Sequence, residues 1–85
     1  DVSGKIEVRN GYSKGEVLEN IKDKITAYLA EVAFKKSYVS FAKVAHAILE
    51  SEGLVDFDDL RINGTYDNID LTDEEVAVLG QVRLD

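Results

Sequence analysis

The side chains best suited to do chemistry in this sequence are one histidine, a short acidic run and a few glycine turns. His46 is the only histidine. An imidazole that works as a base or metal ligand needs a Ser, Cys or second His at telling spacing. No such partner accompanies His46, so an ordinary place on a helix, beside an apolar stripe, is expected for it. Asp56, Asp58 and Asp59 invite a calcium loop, which takes ligands at its first, third and fifth positions, Gly at the sixth and Glu at the twelfth. Counted from Asp56, the fifth and sixth positions are Leu60 and Arg61; counted from Asp67, the sixth is Thr72. Neither frame fits. Asn63-Gly64-Thr65 has the form of a glycosylation acceptor, but its Asn-Gly pair is better accounted for by the turn it opens. Gly11 and Gly15 belong to neither a GxxxxGK nor a GxGxxG phosphate loop. The absence of cysteine excludes disulfides, thiolate metal sites and a thiol nucleophile. An acyl carrier protein would need a Ser within Asp-Ser-Leu, a triplet that does not occur. No catalytic, cofactor-binding or metal-ligating residue is therefore expected, and the chain is read as non-enzymatic and without a cofactor.

The elements that would position these residues follow from periodicity. From Lys5 to Asn10, Ile6 and Val8 alternate with Glu7 and Arg9, which predicts a half-buried strand closed by Asn10-Gly11. Ser13-Lys14-Gly15-Glu16 has the form of a capping box and opens a helix to about Val32. Its predicted buried stripe is Leu18, Ile21, Ile25, Tyr28, Leu29 and Val32. Phe34 to Ser37 form a connection, Tyr38-Val39 a brief extended piece, and Ser40 an N-cap. The second helix carries Phe41, Val44, Ala45, Ile48 and Leu49 on one stripe; Gly53 is expected at its C′ position, with Leu54 folding back onto Leu49. Val55 and Phe57 then hold odd positions and Leu60 and Ile62 even ones, so a bulge or turn is expected at Asp58-Asp59. Asn63-Gly64 starts a turn, from which Ile69 and Leu71 return as a hairpin strand. Thr72 to Glu75 read as a second capping box with room for one helical turn, Val76 to Leu79 are apolar, and Gln81 to Leu84 form a last strand. The expected fold is α+β, in the order β-α-α-β-β-β. Two helices pack on one face of a small, mainly antiparallel sheet, and the other face is left bare as a potential interface.

The chain has 85 residues, enough for one modest core, and 45% hydrophobic residues, too many for a disordered segment. Its net charge of −7 argues against a nucleic-acid or anionic-membrane binder. No apolar run approaches the roughly 20 residues of a membrane span, and no small-molecule site is legible. The acidity is uneven: residues 1–46 carry eight basic and six acidic side chains, and residues 47–85 only Arg61 and Arg83 against eleven acids. The start at Asp1 rather than Met leads us to expect a piece of a longer protein; with no repeat or linker in it, the chain is read as a single domain, 1–85, and as monomeric alone.

The second half has a recognisable phrasing. Gly53-Leu54-Val55-Asp56 follows a helix, Leu60-Arg61-Ile62-Asn63-Gly64 precedes Asn68-Ile69-Asp70-Leu71, and Glu74 to Val82 close with Val78-Leu79-Gly80-Gln81. The first half offers Ile25-Thr26-Ala27-Tyr28-Leu29, Phe34 and Tyr38-Val39-Ser40. Over roughly 5–84 the chain resembles the C-terminal region of the baseplate J-like proteins of contractile phage tails and prophage elements. Ala77 departs from the family pattern, which favours proline there. The resemblance implies a structural component of the tail baseplate, placed in the wedges around the hub, that contacts other baseplate or tail proteins without catalysis. It also implies a place in the virion, after assembly in the host cytoplasm. The alternative from another class is an acidic adaptor or regulatory domain that binds a basic protein through residues 50–75.

Overall fold

In a computed structural model, residues 1–35, 38–71 and 79–85 are described. The elements are β1 (Val2–Val8), α1 (Lys14–Lys35), β2 (Tyr38–Val39), α2 (Phe41–Leu49), β3 (Leu54–Ile62), β4 (Ile69–Asp70) and β5 (Val82–Leu84). The expected α+β order is present, with the extended piece at Tyr38-Val39 forming a strand of its own. The main sheet has the order β3-β1-β5, with β1 antiparallel to β3 and parallel to β5. β2 and β4 pair antiparallel as a separate ribbon.

The first helix begins as its sequence dictates. Ser13 Oγ accepts the Glu16 amide at 3.1 Å, while its hydroxyl donates to Glu16 Oε1 at 3.2 Å. The carboxylate is thus held by the hydroxyl, a variant of the reciprocal box. The stripe Ile21, Ile25, Leu29 and Val32 is buried, and Val17, absent from the predicted stripe, is fully buried one turn earlier. α1 runs to Lys35, so Phe34 and Lys35 belong to the helix and not to the connection. Lys36 and Ser37 lie outside the described residues.

The second helix is capped by three side chains. Ser40 Oγ accepts the Lys43 amide at 3.2 Å, as its N-cap position requires. The Ser40 amide donates to Tyr28 Oη at 2.9 Å and the Phe41 amide to Asn68 Oδ1 at 2.8 Å. The buried arc is Val44, Ala47 and Ile48. Leu49, predicted to share the stripe, is 48% exposed, because at 3.6 residues per turn it lies about 140° round the helix from Val44. The expected Schellman ending is also absent. Glu50 is the C-cap, and Leu54 turns into the core as the first residue of β3 instead of meeting Leu49. Gly53 is needed for another reason: at φ 89° a Cβ would stand 2.6 Å from Tyr12 Cδ1 and 2.8 Å from Val17 Cγ2.

β3 contains the predicted bulge. Ser3 pairs with Arg61 but Lys5 with Asp58, so two residues, Asp59 and Leu60, oppose Gly4. Asp59 has φ 53°. Gly4 admits the bulge because it has no side chain; a Cβ there would press on the carbonyl oxygens of Asp58 and Asp59 at 3.1 and 3.2 Å. A second shift, between Glu7–Asp56 and Val8–Leu54, leaves Val55 as the extra residue and half exposed. Asn63 and Gly64, at φ 51° and 77°, give the two positive φ values of a type I′ hairpin turn. Ile62 and Thr65 exchange both backbone bonds across it, at 2.9 and 3.0 Å. The hairpin goes no further. Ile69 does not return along β3 but pairs with Val39, and Leu71 lies outside the strand. The second capping box and Val76 to Val78 lie outside the described residues; Leu79 packs half-buried against the core. No described helix is long and apolar enough to cross a membrane.

The core joins Val17, Ile21, Ile25, Val32, Val44 and Ile48 of the helices to Val2, Leu54, Leu60, Ile62 and Leu84 of the sheet. Ile25→Ala and Ile48→Ala, each emptying a fully buried site, are expected to cost about 2–5 kcal/mol in chemical denaturation. A loss below about 1 kcal/mol for both would mean that the helix faces are wrongly assigned. Gly53→Ala, combining a positive φ with the Tyr12 and Val17 contacts, is expected to lose more than ~1 kcal/mol, whereas the same change at Gly15, with open space around it, is not.

Candidate functional site

The residues with chemical reach are dispersed. His46 is exposed on α2, and its Nε2 lies 3.0 Å from Glu50 Oε1, one helical turn on. This is an i,i+4 surface pair of small energetic weight. Asn63 uses its side chain for the fold: its Oδ1 accepts from the Asp1 nitrogen at 2.7 Å, and its amide donates to the Asp1 carbonyl at 2.8 Å. Asp1 Oδ1 in turn accepts the Gln81 amide at 3.0 Å, so one residue ties the hairpin turn to the start of the last strand. Tyr12 donates its hydroxyl to Glu52 Oε1 at 2.9 Å, and this bond raises the Tyr12 pKa.

The acidic run separates into three unlike groups. Asp56 Oδ1 accepts the next backbone amide, that of Phe57, at 2.8 Å. Asp58 stands across from Lys5 in the β1–β3 register. Asp59, lifted out of that register by the bulge, accepts the Tyr66 hydroxyl and, at 3.4 Å, Arg61 Nε. The Arg61 guanidinium lies 5.0 Å from the centroid of the Tyr66 ring, a cation–π stack. Two exposed side chains, Arg61 and Tyr66, are therefore held around the Asp59 carboxylate. The Tyr66 hydrogen bond, with help from the Arg61 charge, lowers the Asp59 pKa, and the same bond raises that of Tyr66. No group of three or more potential metal ligands occurs among the described residues. The parity slip located Asp59 in the sequence, but nothing there signalled that Tyr66 would close over it.

The bare sheet face gathers charges from distant parts of the chain. Residues paired across strands share a face, so Ser3, Lys5 and Glu7 lie beside Arg61, Asp58 and Asp56 of β3, and Arg83 of β5 lies on the other side of Ser3. All of these except Ser3 are exposed. Along β1 the face reads as a row with two arginines, a row with an opposed Lys–Asp pair, and a row with two carboxylates. It is polar throughout.

Because the folded pKa of Asp59 is depressed, its contribution to stability is present above the ordinary carboxylate pKa and is lost as pH falls through the folded value. In Tyr66→Phe the Asp59 midpoint, followed by carboxyl-carbon NMR, is expected to rise toward the ordinary value. An unchanged midpoint would show that the hydroxyl does not hold it.

Over residues 1–85 the chain matches the family described as the baseplate J-like protein C-terminal domain. It is 25% identical over 84 residues to the phage-like element PBSX protein XkdT of Bacillus subtilis (strain 168), a match that covers 99% of this chain and 24% of that protein. To the uncharacterized protein YqbT of the same strain it is 23% identical over 84 residues, again 99% of this chain and 24% of the relative. The chain thus spans about a quarter of the length of the curated relatives it matches. The chain belongs to the baseplate J-like family, as its C-terminal domain.

Proposed function

We propose that this chain is a protein–protein assembly module of a phage or phage-like tail baseplate, cut from the C-terminal part of a longer protein. The observation that carries the proposal is the family match along the whole chain. The use of the matching residues supports it. Gly53 makes room for Tyr12, Asn63-Gly64 makes the type I′ turn, Asn68 caps α2, and Tyr28 holds the Ser40 amide. The residues that carry the resemblance are thus spent on shape, as in a part whose task is to present a surface. Its partners on this reading are other baseplate or tail proteins, its place is the tail of the virion, and assembly occurs in the host cytoplasm. Nucleic acid, membrane, cofactor and small-molecule substrate have no part in it, and neither has catalysis.

The acidic adaptor alternative draws less support, since Asp59 is already engaged by Arg61 and Tyr66, and Asp58 faces Lys5.

Deleting this domain from its parent protein is expected to abolish tail assembly, seen as loss of tail particles by electron microscopy, with the rest of the parent still expressed. Intact tails that contain the truncated parent would overturn the proposal.

A further inference from the structure

The turns that follow β1 and β3 contain the same dipeptide. Asn10-Gly11 and Asn63-Gly64 are the two Asn-Gly pairs of the chain. This dipeptide has a chemistry of its own. The backbone nitrogen of the glycine can attack the asparagine Cγ. A bond forms from that nitrogen to Cγ, the bond from Cγ to the carboxamide nitrogen breaks, and the released group departs as ammonia. Water then opens the resulting succinimide ring at either carbonyl, which leaves aspartate or isoaspartate. Glycine favours the attack because it has no side chain to obstruct its nitrogen. The glycine nitrogen must first swing round to the side of Cγ, which a closed turn prevents. The reaction therefore runs from the opened turn, at a rate that follows the opened population.

Access does not separate the two pairs. All four residues are exposed, and open space surrounds the position of a Cβ on either glycine. What differs is the set of bonds that keeps each turn closed. Across the second turn Ile62 and Thr65 exchange both backbone bonds, at 2.9 and 3.0 Å, and the Thr65 hydroxyl adds a bond to the Ile62 carbonyl at 3.2 Å. The Asn63 amide donates to the Asp1 carbonyl at 2.8 Å. Its Oδ1, an atom of the group that must be attacked, accepts from the Asp1 nitrogen at 2.7 Å. The first turn runs from Arg9 to Tyr12, with positive φ at its third residue, Gly11, as in a type II turn. Among the described residues a single bond closes it, from the Tyr12 amide to the Arg9 carbonyl at 3.1 Å, and the Asn10 carboxamide has no partner.

We propose that Asn10 is a site of spontaneous deamidation in the folded chain, and that the bonds around Asn63 hold the second Asn-Gly pair inert. Either product adds one negative charge to the −7 of the chain. Isoaspartate also puts one extra atom into the main chain, two residues before Tyr12. The Tyr12 ring lies against Gly53, and its hydroxyl donates to Glu52 at 2.9 Å. The modification therefore loosens the contact that ties the β1–α1 connection to the turn between α2 and β3. None of this depends on the assembly role.

The test follows the two sites in one molecule. The 85-residue chain is aged at mildly alkaline pH, once folded and once in concentrated guanidinium, then digested at acidic pH. Mass spectrometry reads the conversion of amide to carboxyl in the peptides that hold Asn10 and Asn63, and labelling by an isoaspartyl methyltransferase identifies the isoaspartate. In the folded chain Asn10 is expected to convert at least ~10-fold faster than Asn63, since each further bond across a turn lowers its opened population several-fold. In guanidinium the two are expected to convert at similar rates. NMR resonances of the Tyr12 ring are expected to change in step with the isoaspartate fraction. In Asn10→Gln, where a six-membered ring must close and does so far more slowly, they are expected to stay constant. The wild-type comparison needs no variant and stands even if Asn10→Gln is unfolded. The proposal is overturned if folded Asn63 converts as fast as Asn10, or if folded Asn10 stays intact while the unfolded chain reacts. It is also overturned if guanidinium preserves the same preference, which would place the selectivity in the sequence and not in the fold.

Discussion

The hydrogen-bonded ladder between β1 and β3 is the interaction on which the remainder depends. β1 is the middle strand, flanked by β3 and β5, so every other part of the sheet is placed relative to Val2–Val8. The ladder works because Gly4 lets the backbone of Asp58 to Leu60 close over it. That bulge changes the parity of β3, so that Leu60 and Ile62 enter the core after Asp58 and Asp59 have faced solvent. Without the shift, one or the other half of β3 would present its apolar side chains to water. The same bulge turns Asp59 toward Arg61 and Tyr66 and leaves Asp58 facing Lys5. One missing side chain thus governs both the apolar layer and the charge layout on the opposite side.

The second helix depends on donors and acceptors that it does not itself possess. Its first amides are satisfied by Ser40 from within the cap, by Tyr28 from α1 and by Asn68 from the segment before β4. Nine residues form too short a helix to be stable alone. Packing of Val44 and Ile48 together with these borrowed bonds fixes both its existence and its tilt. The β2–β4 ribbon is the backbone part of the same arrangement, since pairing Val39 with Ile69 brings Asn68 to the start of the helix.

Local chemistry was legible in the sequence where a residue had only one neighbour to satisfy. The Ser13 and Ser40 caps, the Asn63-Gly64 turn and the parity slip at Asp58-Asp59 each declare themselves within four residues, and each is present. The errors arose where a distant partner decided the outcome. Ile69 and Leu71 have the pattern of a hairpin strand, but the α2 terminus and Val39 draw that segment away from β3. Gly53 resembles a helix terminator, but its conformation answers to the Tyr12 ring 41 positions earlier. Leu49 continues an apolar spacing that the neighbouring elements do not cover. The outer-face pattern was hidden for the same reason: Arg61 and Arg83 are unremarkable in the sequence, and only the register on both edges of β1 puts them in one row. The family resemblance was readable because its motifs are turn and cap residues, which keep their identity without their partners.

The placement of β1 also has a kinetic consequence. The strand at the centre of the sheet precedes both of its neighbours, and its pairings reach to residues 54–62 and 82–84. Contacts of such sequence separation slow folding, because loop closure must be met before pairing rewards it. During synthesis β1 emerges first and then waits, with both edges open, until nearly all of the domain has followed. The 22-residue α1 can begin to form in that interval, whereas α2 must wait for Asn68, and the sheet is completed last. The period of greatest exposure to wrong strand partners is therefore set by topology, before any surface has been completed.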